Sequence, residues 1–120
     1  MTRSLVVKVT CGSADPERAN QAFTVAAAAV AAGAEVSLWL TGEAAWFGVA
    51  DRDDDLDLPL AVPIADLRAA VLSAGTVTVC SQCAARRGIG EQDLLPGVRI
   101  AGAAVFVEDV LRPEVQALVY

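Results

Sequence analysis

The chain has 120 residues, of which 55% are apolar, and a formal net charge of −6 at pH 7. This length predicts one domain over residues 1–120 with a single core, and the acidic balance argues against a nucleic-acid partner. The sequence contains no histidine, which excludes Ser-His-Asp and Cys-His catalysis and every zinc site that requires imidazole.

The first predicted element is a strand over residues 3–11, and its apolar body contains Lys8. A charge within the apolar run, with no small-residue cleavage site after it, favours a strand over a secretory signal. The three cysteines are an odd number and do not form the disulfide framework of a small secreted domain. We therefore expect a cytoplasmic protein.

A helix is predicted from Pro16 to about Ala32, with Asp15 as N-cap and Gly33 just beyond its end. Its second half is rich in alanine and apolar on nearly every side, which indicates burial on more than one face. Tight packing within the domain and a contact between subunits both fit this pattern. The uncharged stretch 22–34 is too short to cross a bilayer, so no membrane partner is expected.

The loop before this helix lacks the glycine patterns that bind dinucleotides or nucleoside triphosphates, so no nucleotide cofactor is expected. A second strand is predicted over residues 35–41, followed by a short helix over residues 43–50. That helix carries Trp46 and Phe47. Bulky aromatics at a strand's carboxyl end line a pocket or pack in the core, and Trp46 is a candidate for the pocket role.

The strongest charge run covers residues 51–57, where three aspartates match positions 1, 3 and 5 of a calcium loop. However, Leu56 occupies the position that requires glycine, and Val62 stands where the bidentate glutamate belongs. We therefore interpret the run as a solvated loop and predict no metal site.

The remaining elements alternate between helix and strand. Apolar periodicity predicts a helix over 63–74, and β-branched and apolar runs predict strands at 76–80, 98–101 and 115–120. A helix from Gly102 to about Leu111 lies between the last two strands. This alternation predicts a three-layer α/β/α sandwich with a mainly parallel five-stranded sheet.

The stretch whose residues are most suited to catalysis or binding covers residues 76–89 and has the sequence TVTVCSQCAARRGI. It predicts a strand that delivers Cys80 to the start of a short helix, at the edge where open α/β sheets bind ligands. Unpaired amides at a helix N-terminus favour a thiolate over a thiol. Arg86 and Arg87 follow Cys83 by three and four residues and add positive charge on the same side of the helix.

Two further interpretations of the cysteines remain open. Free cysteines are often buried residues that only fill space.

Cys11 ends the first predicted strand as Cys80 ends the third, so both should emerge at the same edge of the sheet. Their backbones would be adjacent if the strands are neighbours, or roughly 10 Å apart if one strand intervenes.

The segment from Val79-Cys80 through Ala84-Ala85-Arg86-Arg87-Gly88-Ile89, with the alanine-rich helix that ends AAGAEVSLWLTGEA, resembles the DsrE/DsrF-like family of small sulfur-relay proteins. The resemblance implies a DsrEFH-like fold and a sulfur carrier or sulfurtransferase that holds sulfane sulfur as a persulfide on Cys80. It also implies Arg86 and Arg87 as a basic pair, donor and acceptor proteins or small thiols as partners, and trimers or hexamers of the chain.

Cys83 is a departure from the family's single-cysteine pattern. It could resolve a persulfide on Cys80 by forming a disulfide, which would make the protein a thiol–disulfide redox protein. A third hypothesis is a non-enzymatic assembly or binding module in which the cysteines are inert.

Overall fold

The computed structural model describes residues 3–120 and contains a five-stranded sheet in which every strand pairing is parallel. The strands are β1 (Ser4–Val9), β2 (Glu35–Leu40), β3 (Thr76–Cys80), β4 (Val98–Ala101) and β5 (Val115–Val119). The α-helices are α1 (Pro16–Ala31), α2 (Ile64–Ala74), α3 (Ser81–Arg86) and α4 (Ala103–Leu111). Short 3₁₀ helices cover Gly42–Gly48 and Glu91–Asp93.

The strands are arranged in the order β4-β3-β2-β1-β5. One face of the sheet packs against α1 and α2, and this is where the main core lies. Its largest fully buried members on this face include Phe23, Leu38, Leu40 and Ile64. The predicted α/β/α sandwich with a parallel five-stranded sheet is confirmed.

The opposite face is covered by α4, and its packing is partly polar. The Trp39 indole N–H donates to Asp109 at 3.2 Å and to the Ser37 hydroxyl at 3.1 Å, and Ser37 donates to Asp109 at 3.0 Å. The Trp39 ring also meets Phe106 of α4 edge-on, with 5.3 Å between ring centroids. Because α4 has no fully buried residue, these contacts are a large part of what holds it on the sheet.

Three local expectations need correction. The first strand ends at Val9 rather than at Cys11, because the chain turns there and the Asp15 N–H donates to the Gly12 carbonyl at 3.1 Å. Asp15 stands at the N-cap, but its side chain makes no capping hydrogen bond and pairs with Arg18 instead. The short helix predicted over residues 43–50 is a 3₁₀ helix and covers Gly42 to Gly48 instead.

No helix among residues 3–120 is both long enough and apolar enough to cross a bilayer. This includes the alanine-rich α1, whose buried positions are Ala19, Asn20, Ala22, Phe23 and Ala26. All five lie in its first eleven residues. The more apolar second half is therefore less buried in this chain than the sequence pattern predicts.

Candidate functional site

Cys80 lies where the sequence predicts it, at the last position of β3 and at the N-cap of α3. The thiol is half-buried at the carboxyl edge of the sheet. Cys80 makes no side-chain capping hydrogen bond, but the backbone amides of Gln82 and Cys83 at the start of the short helix favour the ionised form of its sulfur. The position combines access for a reagent with fixed donors for a negative charge.

The pKa of Cys80 is lowered from that of an ordinary cysteine. Burial acts against ionisation, but the Cys83 amide, the Cys83 thiol, the Gln82 amide and the positive charge of Lys8 together outweigh it. The thiolate is the nucleophilic form of cysteine, so Cys80 is the candidate nucleophile of this chain.

Cys83 is buried, and the Gly42 amide donates to its sulfur at 3.1 Å. The Cys83 thiol is among the groups that lower the pKa of Cys80. The second cysteine of the CxxC motif is therefore near enough to the first to affect its ionisation.

The two arginines of the motif have different surroundings. Arg87 donates through Nε to Glu43 at 2.7 Å and through Nη1 to the Cys83 carbonyl at 3.1 Å, so it ties the end of α3 to the 3₁₀ helix Gly42–Gly48. Arg86 is exposed to solvent. The cation that lowers the pKa of Cys80 is Lys8 of β1, which no sequence motif marks as a site residue.

Cys11 lies two residues beyond β1, and β2 separates β1 from β3. Of the two arrangements that the sequence left open, the structure therefore has the one with an intervening strand. Burial raises the pKa of Cys11, and Asp15 raises it further, against smaller opposing effects of Arg18 and the local backbone. The pKa of Cys11 is therefore shifted in the opposite direction from the pKa of Cys80.

Trp46 and Phe47 line the same crevice, and Phe47 is also a member of the core. Phe47 is buried and meets Phe23 edge-on at 5.4 Å between ring centroids. Trp46 is half-buried and lines a crevice of about 150 Å³, with the Arg52 guanidinium 4.1 Å from its ring centroid. Glu43 also lines this crevice, but none of the three cysteines does.

The acidic run is held by contacts within the protein. Asp54 pairs with Arg68, which is buried and also donates to the Phe47 carbonyl at 2.8 Å. Asp53 and Asp55 accept hydrogen bonds from backbone amides two residues further on. Within residues 3–120, no group of three or more His, Cys, Asp or Glu side chains is arranged to hold a metal ion.

These features define a class of protein: a small parallel α/β domain with a half-buried cysteine of lowered pKa at the carboxyl edge of its sheet. The model of the DsrE/DsrF-like family matches residues 3–112. The chain therefore belongs to the DsrE/DsrF-like family, as its CxxC-to-RRG segment had indicated.

The chain is also similar to one curated relative and shares its fold with two solved structures. The chain is 30% identical over 108 residues to the uncharacterized protein MJ0760 of Methanocaldococcus jannaschii, a match that covers 89% of this chain and 39% of that relative. The chain thus corresponds to about two fifths of the relative's length. It also superposes on YchN of E. coli with a TM-score of 0.83 and 17% identity, covering 99% of this chain and 100% of YchN. MTH1491 of Methanobacterium thermoautotrophicum, a protein of unknown function, gives a TM-score of 0.72 at 9% identity with 100% of both chains covered.

Proposed function

We propose that this chain, as a single domain over residues 1–120, is a small sulfur carrier or sulfurtransferase that acts through Cys80. The Cys80 thiolate attacks the outer sulfur of a donor persulfide R–S–SH, the donor S–S bond breaks, and R–S⁻ leaves. Cys80 then carries the sulfur as Cys80–S–SH, and an acceptor thiolate removes it by the same exchange in reverse. The observation that supports this most is a half-buried thiol with a lowered pKa at a strand-to-helix junction.

The direct test is mass spectrometry of the protein after incubation with a small-molecule persulfide. The proposal predicts the mass gain of one or more sulfur atoms on the peptide that contains Cys80, and loss of that mass when an acceptor thiol is added. The Cys80→Ser variant should show no gain, whereas Cys11→Ser should behave as the unmodified sequence does. An unmodified Cys80, or equal labelling of Cys80→Ser, would overturn the proposal.

The Cys83 thiol follows Cys80 by three residues and lowers its pKa, which supports a second candidate function, thiol–disulfide redox chemistry. The Cys83 sulfur could attack the inner sulfur of the Cys80 persulfide, which forms a Cys80–Cys83 disulfide and releases the outer sulfur as hydrogen sulfide. This activity predicts sulfide release and a protein lighter by two hydrogens. Cys83→Ser would then retain the persulfide much longer than the unmodified sequence.

The third hypothesis, an inert assembly or binding module, makes the opposite prediction for the thiols. Cys80 would resist alkylation at neutral pH until the protein is unfolded. Rapid alkylation of the folded protein would contradict this hypothesis, and the half-buried position of Cys80 argues against it.

We also propose that the chain associates with further copies of itself in a reducing, cytoplasmic environment. Three exposed apolar side chains lie on α4 or on the side of β5 that α4 covers: Val107, Leu111 and Val119. Contiguous exposed apolar surface is typical of interaction sites. Light scattering after size exclusion should show an oligomer, and Leu111→Glu should shift it toward the monomer.

A further inference from the structure

The register of the sheet places Lys8 in one row across the strands with Thr78, which precedes Cys80 by two residues in β3. Lys8 pairs with Trp39, Trp39 pairs with Thr78, and Thr78 pairs with Arg99 across the four neighbouring strands. Strand alternation puts Cys80, two residues after Thr78, on the same face. Lys8 and the candidate nucleophile therefore share the α4 side of the sheet, with about 12 Å between their Cα atoms by strand geometry.

Among residues 3–120, Lys8 differs from Arg87 and Arg99 because no carboxylate neutralises it, and from the equally unpaired Arg86 because it is half-buried. Arg99 lies 3.8 Å from Asp109 and donates to Thr78 at 2.7 Å, and Arg87 is paired with Glu43. Among residues 3–120, Lys8 forms no ion pair. Its ammonium instead lies over the Phe106 ring, 5.2 Å from the centroid.

This contact with Phe106 has a specific electrostatic consequence. A cation–π contact orients an ammonium group without cancelling its charge. The half-buried position of Lys8 also reduces screening by solvent and salt compared with that of the exposed Arg86. Of the cations at this end of the sheet, Lys8 is thus the one whose full charge remains available to a neighbouring anion.

We propose that Lys8 is a positioning residue that holds ionised sulfur on Cys80 and makes this site favour anionic reagents over neutral ones. The inference rests on the proposed function, because the sulfur it concerns is the Cys80 thiolate and the persulfide anion formed on it. The contribution of Lys8 to the lowered pKa of Cys80 agrees with the geometry. In this arrangement the contact with Phe106 of α4 fixes the position of the Lys8 ammonium. The ammonium then stabilises the negative charge of the Cys80 sulfur through space, without direct contact.

The test compares the alkylation rates of Cys80 by iodoacetate, which is anionic, and by iodoacetamide, which is neutral. Rates are measured on the full chain from the Cys80 peptide by mass spectrometry. A single charge at this range predicts that Lys8→Gln and Lys8→Met lower the ratio of the two rates by about 2–10-fold. The midpoint of the iodoacetamide pH profile should move to higher pH by about 0.3–1 pH unit in the same variants.

Two controls separate this role from a structural one. Lys8→Arg keeps the charge and should restore most of the ratio, and Arg86→Gln removes an exposed charge and should leave the ratio nearly unchanged. An unchanged ratio in both Lys8→Gln and Lys8→Met would overturn the inference, as would an equal effect of Arg86→Gln. High salt provides a check on the unmodified protein, because it should lower the ratio toward that of Lys8→Gln.

The experiment also separates this inference from the proposed function. A protein that forms the persulfide on Cys80 but shows no dependence of the rate ratio on Lys8 would overturn only the role of Lys8. A protein whose ratio depends on Lys8 but whose Cys80 accepts no sulfur would overturn only the sulfur-carrier function.

Discussion

The backbone amide of Gly42 donates a hydrogen bond to the sulfur of Cys83 across 3.1 Å. The two residues are 41 positions apart in the chain, and the bond joins the start of the 3₁₀ helix Gly42–Gly48 to the interior of α3. Gly42 has φ +56°, and a Cβ at this position would lie 2.8 Å from the Thr10 carbonyl oxygen. Position 42 therefore requires glycine both for its backbone conformation and for the close approach of the chain just after β1.

Replacement of Gly42 should cost more stability than replacement of a glycine with similar backbone angles in open space. Gly42→Ala combines the strain of a positive φ with a clash against Thr10, so we expect a loss of about 1–3 kcal/mol in the free energy of unfolding. Gly88 has φ +66°, and a Cβ added there would meet no atom within 4 Å beyond its chain neighbours. Gly88→Ala is thus the matched control, and urea denaturation of both variants should show the larger loss at position 42. Equal losses would mean that the clash is relieved by movement of the segment that contains Thr10.

The three cysteines should be distinguishable by the pH dependence of their alkylation. Cys80 has a lowered pKa, so its reactivity should persist at pH values where Cys11, with its raised pKa, has become unreactive. As the pH falls, each rate decreases once the pH passes below the pKa of that thiol. Iodoacetamide labelling followed by peptide mass spectrometry measures both profiles in one experiment. Labelling of Cys11 at lower pH than Cys80 would contradict the assignment.

Asp109 should contribute strongly to the attachment of α4. Asp109→Ala leaves the buried Trp39 indole N–H with Ser37 as its one remaining partner and removes the acceptor of Ser37. We expect a loss of about 1–3 kcal/mol. The neighbouring Glu108 is exposed, so Glu108→Ala should change stability by less than about 0.5 kcal/mol. Urea denaturation followed by circular dichroism tests the pair, and similar losses would argue that helix propensity, not the hydrogen bonds, is responsible.

Two ion pairs of the chain should differ in their contribution to stability because they differ in burial. Arg68 is buried and binds both Asp54 and the Phe47 carbonyl, so Arg68→Met should cost about 1.5–3 kcal/mol. Arg18 and Asp15 form an exposed pair, and Arg18→Met should cost about 0–1 kcal/mol. Thermal and urea denaturation can be compared at low and high salt. A larger loss for Arg18→Met would show that the contacts of Arg68 are replaced by water.

Much of the fold could be predicted from the sequence because its signals are local. Pro16 and Gly33 mark the ends of α1, and the positive φ of Gly33 confirms the expected end of that helix. The β-branched run before Cys80 indicated β3 and located the cysteine at the junction with α3. The short helix after β2 was predicted, but its 3₁₀ type was not, because seven residues are too few for the sequence pattern to distinguish an α-helix from a 3₁₀ helix.

The surroundings of Cys80 could be predicted only in part. The amides of Gln82 and Cys83 follow from the position of the cysteine at a helix start, and they needed no knowledge of other strands. Lys8 could not be found in this way, because its proximity depends on β1 lying two strands from β3 on the same face. The Gly42 amide likewise approaches Cys83 only once the loop after β2 is folded over α3.

The amino-acid sequence by itself determined the alternation of strands and helices and the position of Cys80 between β3 and α3, since propensities and helix-end signals act over a few residues. The tertiary structure decided the strand order, and with it the separation of Cys11 from Cys80, the pairing of Arg87 with Glu43 and the placement of Lys8. Those contacts join residues distant in the chain, and a parallel sheet brings such residues together through crossovers whose order no local pattern specifies.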